Sequence, residues 1–225
     1  MVRFVFLDLD DTLLDFHKAE HIAVARAFRD VGVEPTQELL TRYSEVNKLH
    51  WQMLERGELT RQEVLLRRFE ALFQERGINA DSLRCMERYE DYLCDGYYFV
   101  DGAEDVLDYL APKYRLFLAS NGTAKVQDAR LRSSGIGRYM ERCFISQHIG
   151  ADKPSLAFFQ RCFDEISGFD PKAAIIVGDS LTSDMRGGNN AGIQTCWFNP
   201  AGLPHDESIR LDYEIRTLAQ LKDIL

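Results

Sequence analysis

Two patterns of apolar positions share the chain, and the order in which they occur predicts the architecture. Val2 to Leu7 is an apolar, β-branched run broken only by Arg3, as expected of a strand buried on both faces. From about His17 to Tyr98 the apolar positions recur at helical spacing instead, as in Val64, Leu65, Phe69, Leu72 and Phe73. Gly32, Gly57 and Gly77 punctuate this segment and Pro35 breaks it, but no strand signal interrupts it. After Asp101-Gly102 the patterns alternate. Helices are predicted over Ala103 to Leu110, Ala124 to Ser134, Ser155 to Ile166, Ser183 to Ala191 and Leu218 to Leu225. Strands are predicted at YRLFLAS, at Cys143 to Ser146, at AAIIVGD and at QTCWF. Such alternation indicates βαβ units and an α/β fold with a doubly wound parallel sheet. The first strand belongs to that sheet although a helical block follows it. The expected division is therefore a core of residues 1–15 and 99–225 with an inserted all-α cap of residues 16–98.

Composition narrows the partners. The chain has 225 residues, 45% of them hydrophobic, enough for a sizeable core. Its net charge of −9 argues against a nucleic-acid polymer or an anionic membrane surface as partner. A small anionic substrate stays open, because a bound cation can make one site positive within a negative protein. The five cysteines are scattered without a CxxC pair, which argues against a disulfide framework and a structural zinc site. Asp8 cuts the first apolar run too short for a signal peptide, and no apolar stretch is long enough to span a membrane. The expectation is a soluble cytoplasmic protein, monomeric or homodimeric.

The stretch FVFLDLDDTLL ends a buried-strand pattern in Asp8, Asp10 and Asp11, which repel one another. Three arrangements make such crowding tolerable: a metal ion, a substrate that needs a carboxylate, or exposure at the strand end. In a parallel α/β sheet, ligands bind beyond the carboxyl ends of the strands, so the residues following each strand are the place to look. They are Asp8-Leu9-Asp10-Asp11-Thr12, Ser120-Asn121-Gly122, Ala151-Asp152-Lys153-Pro154 and Gly178-Asp179-Ser180, with Asp184 five residues beyond Asp179. Asp8 and Asp179 supply the hard oxygen ligands that Mg²⁺ prefers. A carboxylate facing phosphorus can act as a nucleophile and divide one hard step into two. Asp10, two residues on, projects from the same side of the chain and suits proton transfer to a leaving alcohol and from water. Ser120 and the backbone N–H groups that follow it, Asn121 included, can hold phosphate oxygens, and Lys153 can neutralise developing charge. Phosphate monoester hydrolysis calls for such a combination, since enzymes accelerate it by up to roughly 10²¹-fold.

Together the four motifs resemble the haloacid dehalogenase (HAD) superfamily: DLDDT its DxDx[TV] signature, SNG its serine or threonine motif, KPS its lysine motif and GDSLTSD its acidic motif. The resemblance implies a Rossmann-like core with a helical cap, Asp8 as nucleophile and Asp10 as general acid/base. It also implies Mg²⁺ held by Asp8, the Asp10 carbonyl and Asp179, phosphoryl binding by Ser120 and Lys153, and Asp184 as a supporting acid near Lys153 and the metal. EVNKLHW in the cap, SNG and GDSLTSDMRGGNNAGIQTCWFN are similar to the bacterial pyrimidine 5′-nucleotidase branch. That branch implies a small phosphate monoester as substrate, a nucleoside 5′-monophosphate with pyrimidine preferred.

Competing readings use the same residues. Dehalogenation of a 2-haloacid needs neither a metal nor a proton donor to an alkoxide, so Asp10 and the Asp179/Asp184 pair speak against it. A sugar-phosphate phosphatase or mutase stays open, and the intact polar set argues against an inert binding module. His17, Glu20 and His21 match an HxxEH zinc pattern, but no third ligand is evident. Asn47, Lys48 and Trp51 combine an amide, a cation and an aromatic at helical spacing. They are the candidates for substrate selection by the cap, although a tryptophan so placed is more often a core residue than a base-stacking platform.

Overall fold

The computed structural model describes residues 1–205 and 207–225. By its internal contacts the chain divides into two compact units, Met1–Asp15 with Phe99–Leu225, and Phe16–Tyr98.

In the first unit, β1 (Phe4–Leu7) opens the sheet. The second unit then contributes α1 (Phe16–Asp30), α2 (Gln37–Glu55), α3 (Arg61–Arg76) and α4 (Ser82–Asp95). The first unit resumes with α5 (Ala103–Leu110), β2 (Arg115–Ser120), α6 (Ala124–Ser134), β3 (Arg142–Ile145), α7 (Ser146–Ile149) and α8 (Leu156–Asp164). It closes with β4 (Ala174–Gly178), a π-helical turn at Leu181–Met185, α9 (Arg186–Ala191), β5 (Gln194–Phe198), β6 (Tyr213–Ile215) and α10 (Leu221–Ile224).

The six strands among the described residues are all parallel, in the order β3-β2-β1-β4-β5-β6. The continuous apolar runs follow from this topology, because helices cover both faces of the sheet. Val5, Leu7, Leu116, Leu118, Ile175 and Val177 pack on one side, and Phe4, Phe6, Phe117, Ala119, Ala174 and Ile176 on the other. Successive side chains of a strand point to opposite faces, so each buried strand feeds both layers. β1 lies between β2 and β4, where the strand order reverses, and the crevice of such a sheet opens at that reversal.

The helical unit has its own core. Phe28, Tyr43, Phe69, Phe73 and Tyr89 contact one another ring to ring. Thr36 caps α2, Thr60 and Glu63 form a capping box on α3, and Asp81 caps α4, which satisfies N–H groups that a helix start leaves open. Glu20 points inward, with His17 and His21 exposed on either side of it. The HxxEH pattern therefore gathers no ligand set on α1.

The structure departs from the periodicity in several places, among them α7, which begins at the Ser146 expected to end a strand. β6 is an additional strand of three residues after the loop from Asn199, too short for alternation to declare it. The helix expected over Ser183 to Ala191 begins as the π-helical turn, which returns Asp184 toward the sheet. The closing helix is a 3₁₀ turn, Leu218–Gln220, followed by the single turn of α10. Among the described residues, no helix is long and apolar enough to cross a membrane.

Candidate active site

Four chain segments meet beyond the carboxyl ends of β1, β2 and β4. Asp8 follows β1, and its N–H donates to the Val177 carbonyl at 2.9 Å, extending the β1–β4 ladder by one rung. Leu9 turns wholly into the core. Asp11 then adopts a left-handed conformation, φ 57°, and its N–H donates to the Leu14 carbonyl at 2.7 Å, so the chain curls back after only three residues. Thr12, wholly buried in this turn, donates through Oγ1 to Asp8 Oδ2 at 3.5 Å and accepts the Asp179 N–H at 3.1 Å. The threonine of DLDDT thus ties the end of β1 to the end of β4.

Lys153 is the centre of charge. Only 1% exposed, its Nζ donates to Asp8 Oδ1 at 2.6 Å, Asp184 Oδ1 at 2.5 Å and the Ala119 carbonyl at 2.6 Å. Its loop is held by Asn121, whose side-chain amide donates to the Lys153 carbonyl at 2.8 Å and whose Oδ1 accepts the Lys153 N–H at 2.9 Å. The Asn121 side chain therefore positions the lysine. Asp184 is wholly buried, and its Oδ2 accepts the Ser180 N–H at 3.1 Å. Gly178 makes room for it: a Cβ there would lie 2.2 Å from Asp184 Oδ2. Trp197 Nε1 donates to the Asp179 carbonyl at 2.8 Å and pins the β4 end from the neighbouring strand.

Asp8, Asp179 and Asp184 each offer an oxygen, and these oxygens lie within 4.8 Å of one another. Three carboxylates against one ammonium leave two negative charges, the complement of a divalent cation, and an all-oxygen donor set suits Mg²⁺. The electrostatics carry the same signature. Burial, opposed by Lys153 and assisted by Asp184 and Asp10, pushes the Asp8 carboxyl up to about 8. Burial with the nearby Asp8, Asp184 and Asp11 holds Asp179 well above the usual carboxylate range. Burial alone would discharge Lys153, but Asp184 and Asp8 outweigh it and keep the ammonium charged. Asp184, expected from the resemblance in a supporting place, is both the lysine's ion-pair partner and a member of the acidic trio.

Ser120, at the end of β2, is buried, and its Oγ accepts from Gln127 Nε2 at 2.8 Å. The Gly122 N–H is directed to Ser146 Oγ at 3.3 Å. Asp10 stands apart from the trio: its Oδ1 is ion-paired with Arg130 Nη1, and its Oδ2 accepts from Gln127 Nε2 at 2.7 Å. Gln127 and Arg130, both on α6, escaped the sequence reading. Their signal was present, as two polar residues in the helix stripe otherwise filled by Val126 and Leu131, all four of them buried.

The cap candidates lie in the helical unit. Asn47 is buried and its amide is used at both ends, donating to Glu20 Oε1 at 2.6 Å and accepting from Arg68 Nη1 at 2.7 Å. Lys48 is exposed. Trp51 is half-buried, with the Arg61 guanidinium 6.0 Å from its ring centre.

The profile of the haloacid dehalogenase-like hydrolase family matches residues 2–192. The chain belongs to that family. The hydrolase is 37% identical to the pyrimidine 5′-nucleotidase PynA of Streptococcus pneumoniae, over 99% of its own length and 94% of PynA. It is 28% identical to the pyrimidine 5′-nucleotidase YjjG of Escherichia coli, over 98% of itself and 96% of YjjG. With the HAD-hydrolase YfnB of Bacillus subtilis it shares 37% identity over 99% of itself and 95% of YfnB. The hydrolase superposes on a magnesium-bound crystal structure of YfnB with a TM-score of 0.95, covering 100% of its own chain and 98% of the other.

Proposed function

We propose that the hydrolase is a Mg²⁺-dependent phosphomonoesterase that works through an aspartyl-phosphate on Asp8 and prefers nucleoside 5′-monophosphates, pyrimidines above purines. The observation that carries this reading is the division of the carboxylates into two environments. Asp8 shares Lys153 with Asp184, whereas Asp10 is held separately by Arg130 and Gln127. A nucleophile and a proton-transfer group need such separate surroundings. A dehalogenase needs no second, separately held carboxylate.

Asp8 attacks phosphorus, and the bond to the ester oxygen breaks as the Asp8–phosphorus bond forms. Asp10 gives its proton to the departing oxygen. Asp10 then takes a proton from water as that water attacks phosphorus, which returns Asp8 as a carboxylate and releases orthophosphate. Ser120 Oγ and the Asn121 N–H hold phosphoryl oxygens, and Lys153 balances the charge gathering on them. Asp8, Asp179 and the Asp10 carbonyl, with Asp184 beside them, would hold Mg²⁺, and the bound cation would supply the positive charge that keeps Asp8 ionised.

Specificity is assigned to the helical unit. Trp51 offers an aromatic face, worth about 1–3 kcal/mol against a base, and Lys48 a cation. Asn47, its amide occupied by Glu20 and Arg68, acts by bracing α2, the helix that carries both. The pyrimidine 5′-nucleotidases among the relatives support this choice of substrate. The test is a phosphate-release screen over nucleotides, sugar phosphates and phosphoglycolate, with halide release from a 2-haloacid measured beside it, each with Mg²⁺ and with EDTA. UMP or dTMP should rank first and EDTA should abolish turnover. Full activity after chelation, or turnover of the haloacid alone, would overturn the proposal. Trp51→Ala should lower kcat/KM for UMP while sparing a small aryl phosphate.

A further inference from the structure

In the proposed chemistry two buried residues of α6 figure only as the surroundings of Asp10. Gln127 is 2% exposed and Arg130 is 0% exposed. A guanidinium withdrawn from water is costly unless a carboxylate meets it, and at this site the carboxylate is Asp10. Gln127 completes the contact. Its Nε2 reaches Asp10 Oδ2 at 2.7 Å and Ser120 Oγ at 2.8 Å, while its Oε1 accepts from Arg130 Nη1 at 3.0 Å. Asp10 is thereby gripped at both oxygens by two residues that also hold each other. The grip is built into the backbone as well: a Cβ at Gly122 would lie 2.7 Å from Gln127 Cγ and Nε2, so the glycine of SNG leaves the space that Gln127 fills.

Two contacts, one at each oxygen, fix rotation about the Asp10 Cβ–Cγ bond. Each carboxylate oxygen accepts at two lone pairs, so the grip sets the direction of Asp10 and leaves lone pairs for the reacting proton. We infer that Gln127 and Arg130 are positioning residues that aim Asp10 at the leaving oxygen and then at water. The inference rests on the phosphomonoesterase reading and assigns both residues to proton transfer, not to phosphate binding. A purely structural role as a neutralised buried charge would cost stability without regard to the leaving group.

The experiment compares Gln127→Met, Arg130→Lys and Arg130→Met with the wild type in single-turnover phosphoryl transfer. The substrates are an alkyl phosphate and 4-nitrophenyl phosphate, and orthophosphate inhibition probes the phosphate site. A displaced proton donor should slow transfer from the alkyl ester by about 10-fold in Gln127→Met and about 100-fold in Arg130→Met. The nitrophenyl ester, whose leaving group needs little protonation, should lose less than about 3-fold in the Arg130 variants, with orthophosphate inhibition unchanged there. Arg130→Lys should recover to within about 10-fold of the wild type on the alkyl ester, since its ammonium still reaches one oxygen. Equal losses on both esters in the Arg130 variants, or weakened orthophosphate inhibition there with alkyl transfer intact, would overturn the inference. If Arg130→Met does not fold, Arg130→Lys decides by the same criteria. A wild type that turns over neither ester overturns the phosphomonoesterase reading itself. A wild type that turns over both, with Asp10→Asn selective for the alkyl ester and the Arg130 variants unselective, overturns the positioning role alone.

Discussion

Each unit buries a polar cluster, and the two clusters balance their charge in opposite ways. In the helical unit, Glu20 accepts from Ser44 Oγ and from Asn47, and Asn47 accepts from Arg68. Arg68 also donates to the Leu65 carbonyl at 3.2 Å and lies 4.9 Å from the Tyr89 ring centre. One negative and one positive charge are linked through an amide, and the account closes within the fold. In the sheet unit, Asp8, Asp179 and Asp184 face a single ammonium, and the account does not close. The difference separates a polar cluster that holds a bundle together from one that waits for a ligand. The first adds order to a core; the second stores electrostatic strain that bound protons or a divalent cation would relieve.

Substitution should break the two clusters differently. The largest effect is expected of Asp8→Asn, which keeps the size and removes the nucleophile. Turnover should fall by more than about 1,000-fold with the circular dichroism spectrum unchanged. A variant retaining more than a few per cent of wild-type activity (about 3% or above) would exclude Asp8 as the attacking group.

Arg68→Met should act on stability instead. It leaves Glu20 charged and buried, so the loss should be about 3 kcal/mol, or a Tm lower by about 6–12 °C. Thermal unfolding measures this, and an unchanged Tm would dissolve the contrast between the two clusters.

A third expectation follows from the raised Asp8 carboxyl. In the folded, metal-free chain Asp8 keeps its proton up to about pH 8, whereas its ordinary value is 3.8. Between those limits the folded state binds the additional proton, so raising the pH withdraws stability. Tm in EDTA should therefore fall from pH 5 to pH 8, and Mg²⁺ should raise it more at pH 8 than at pH 5. A Tm in EDTA that rises over this window would contradict the assignment of unrelieved charge to the sheet unit.

The smallest effect sharpens the comparison furthest. Asp179→Asn removes one of the crowded carboxylates, so the metal-free protein should gain about 2–4 °C in Tm while its response to Mg²⁺ disappears. A loss of stability in EDTA would mean that Asp179 contributes to the fold in the way that Arg68 does.

Much of the core was legible because a doubly wound sheet turns chain order into spatial order. Once the strands were recognised from their apolar runs, their carboxyl ends had to share one edge, and Asp8, Asp10, Ser120, Lys153 and Asp179 follow β1, β2, β3 and β4 in turn. The short elements were less legible: β6 and the π-helical turn at Leu181–Met185 are set by neighbours, not by periodicity. Gln127 and Arg130 were hidden for a related reason. On α6 they are two polar residues among buried positions, and only the approach of the β1 turn supplies the carboxylate that explains them.

The chain by itself determined the α/β alternation, the inserted helices and the residue types at each strand end, since local periodicity and strand polarity need no knowledge of contacts. The resemblance had put Asp184 near Lys153, but tertiary structure alone decided that Asp8 shares the lysine with it and that Asp10 is held by Arg130. It also turned the Asn121 side chain to the lysine loop and the Asn47 amide to Glu20 and Arg68. Pairing depends on distances of a few ångströms between residues as far as 167 positions apart, as Asp179 and Thr12 are. No spacing within one segment encodes that, because a side chain's partner is set by the packing of the elements on which both residues ride.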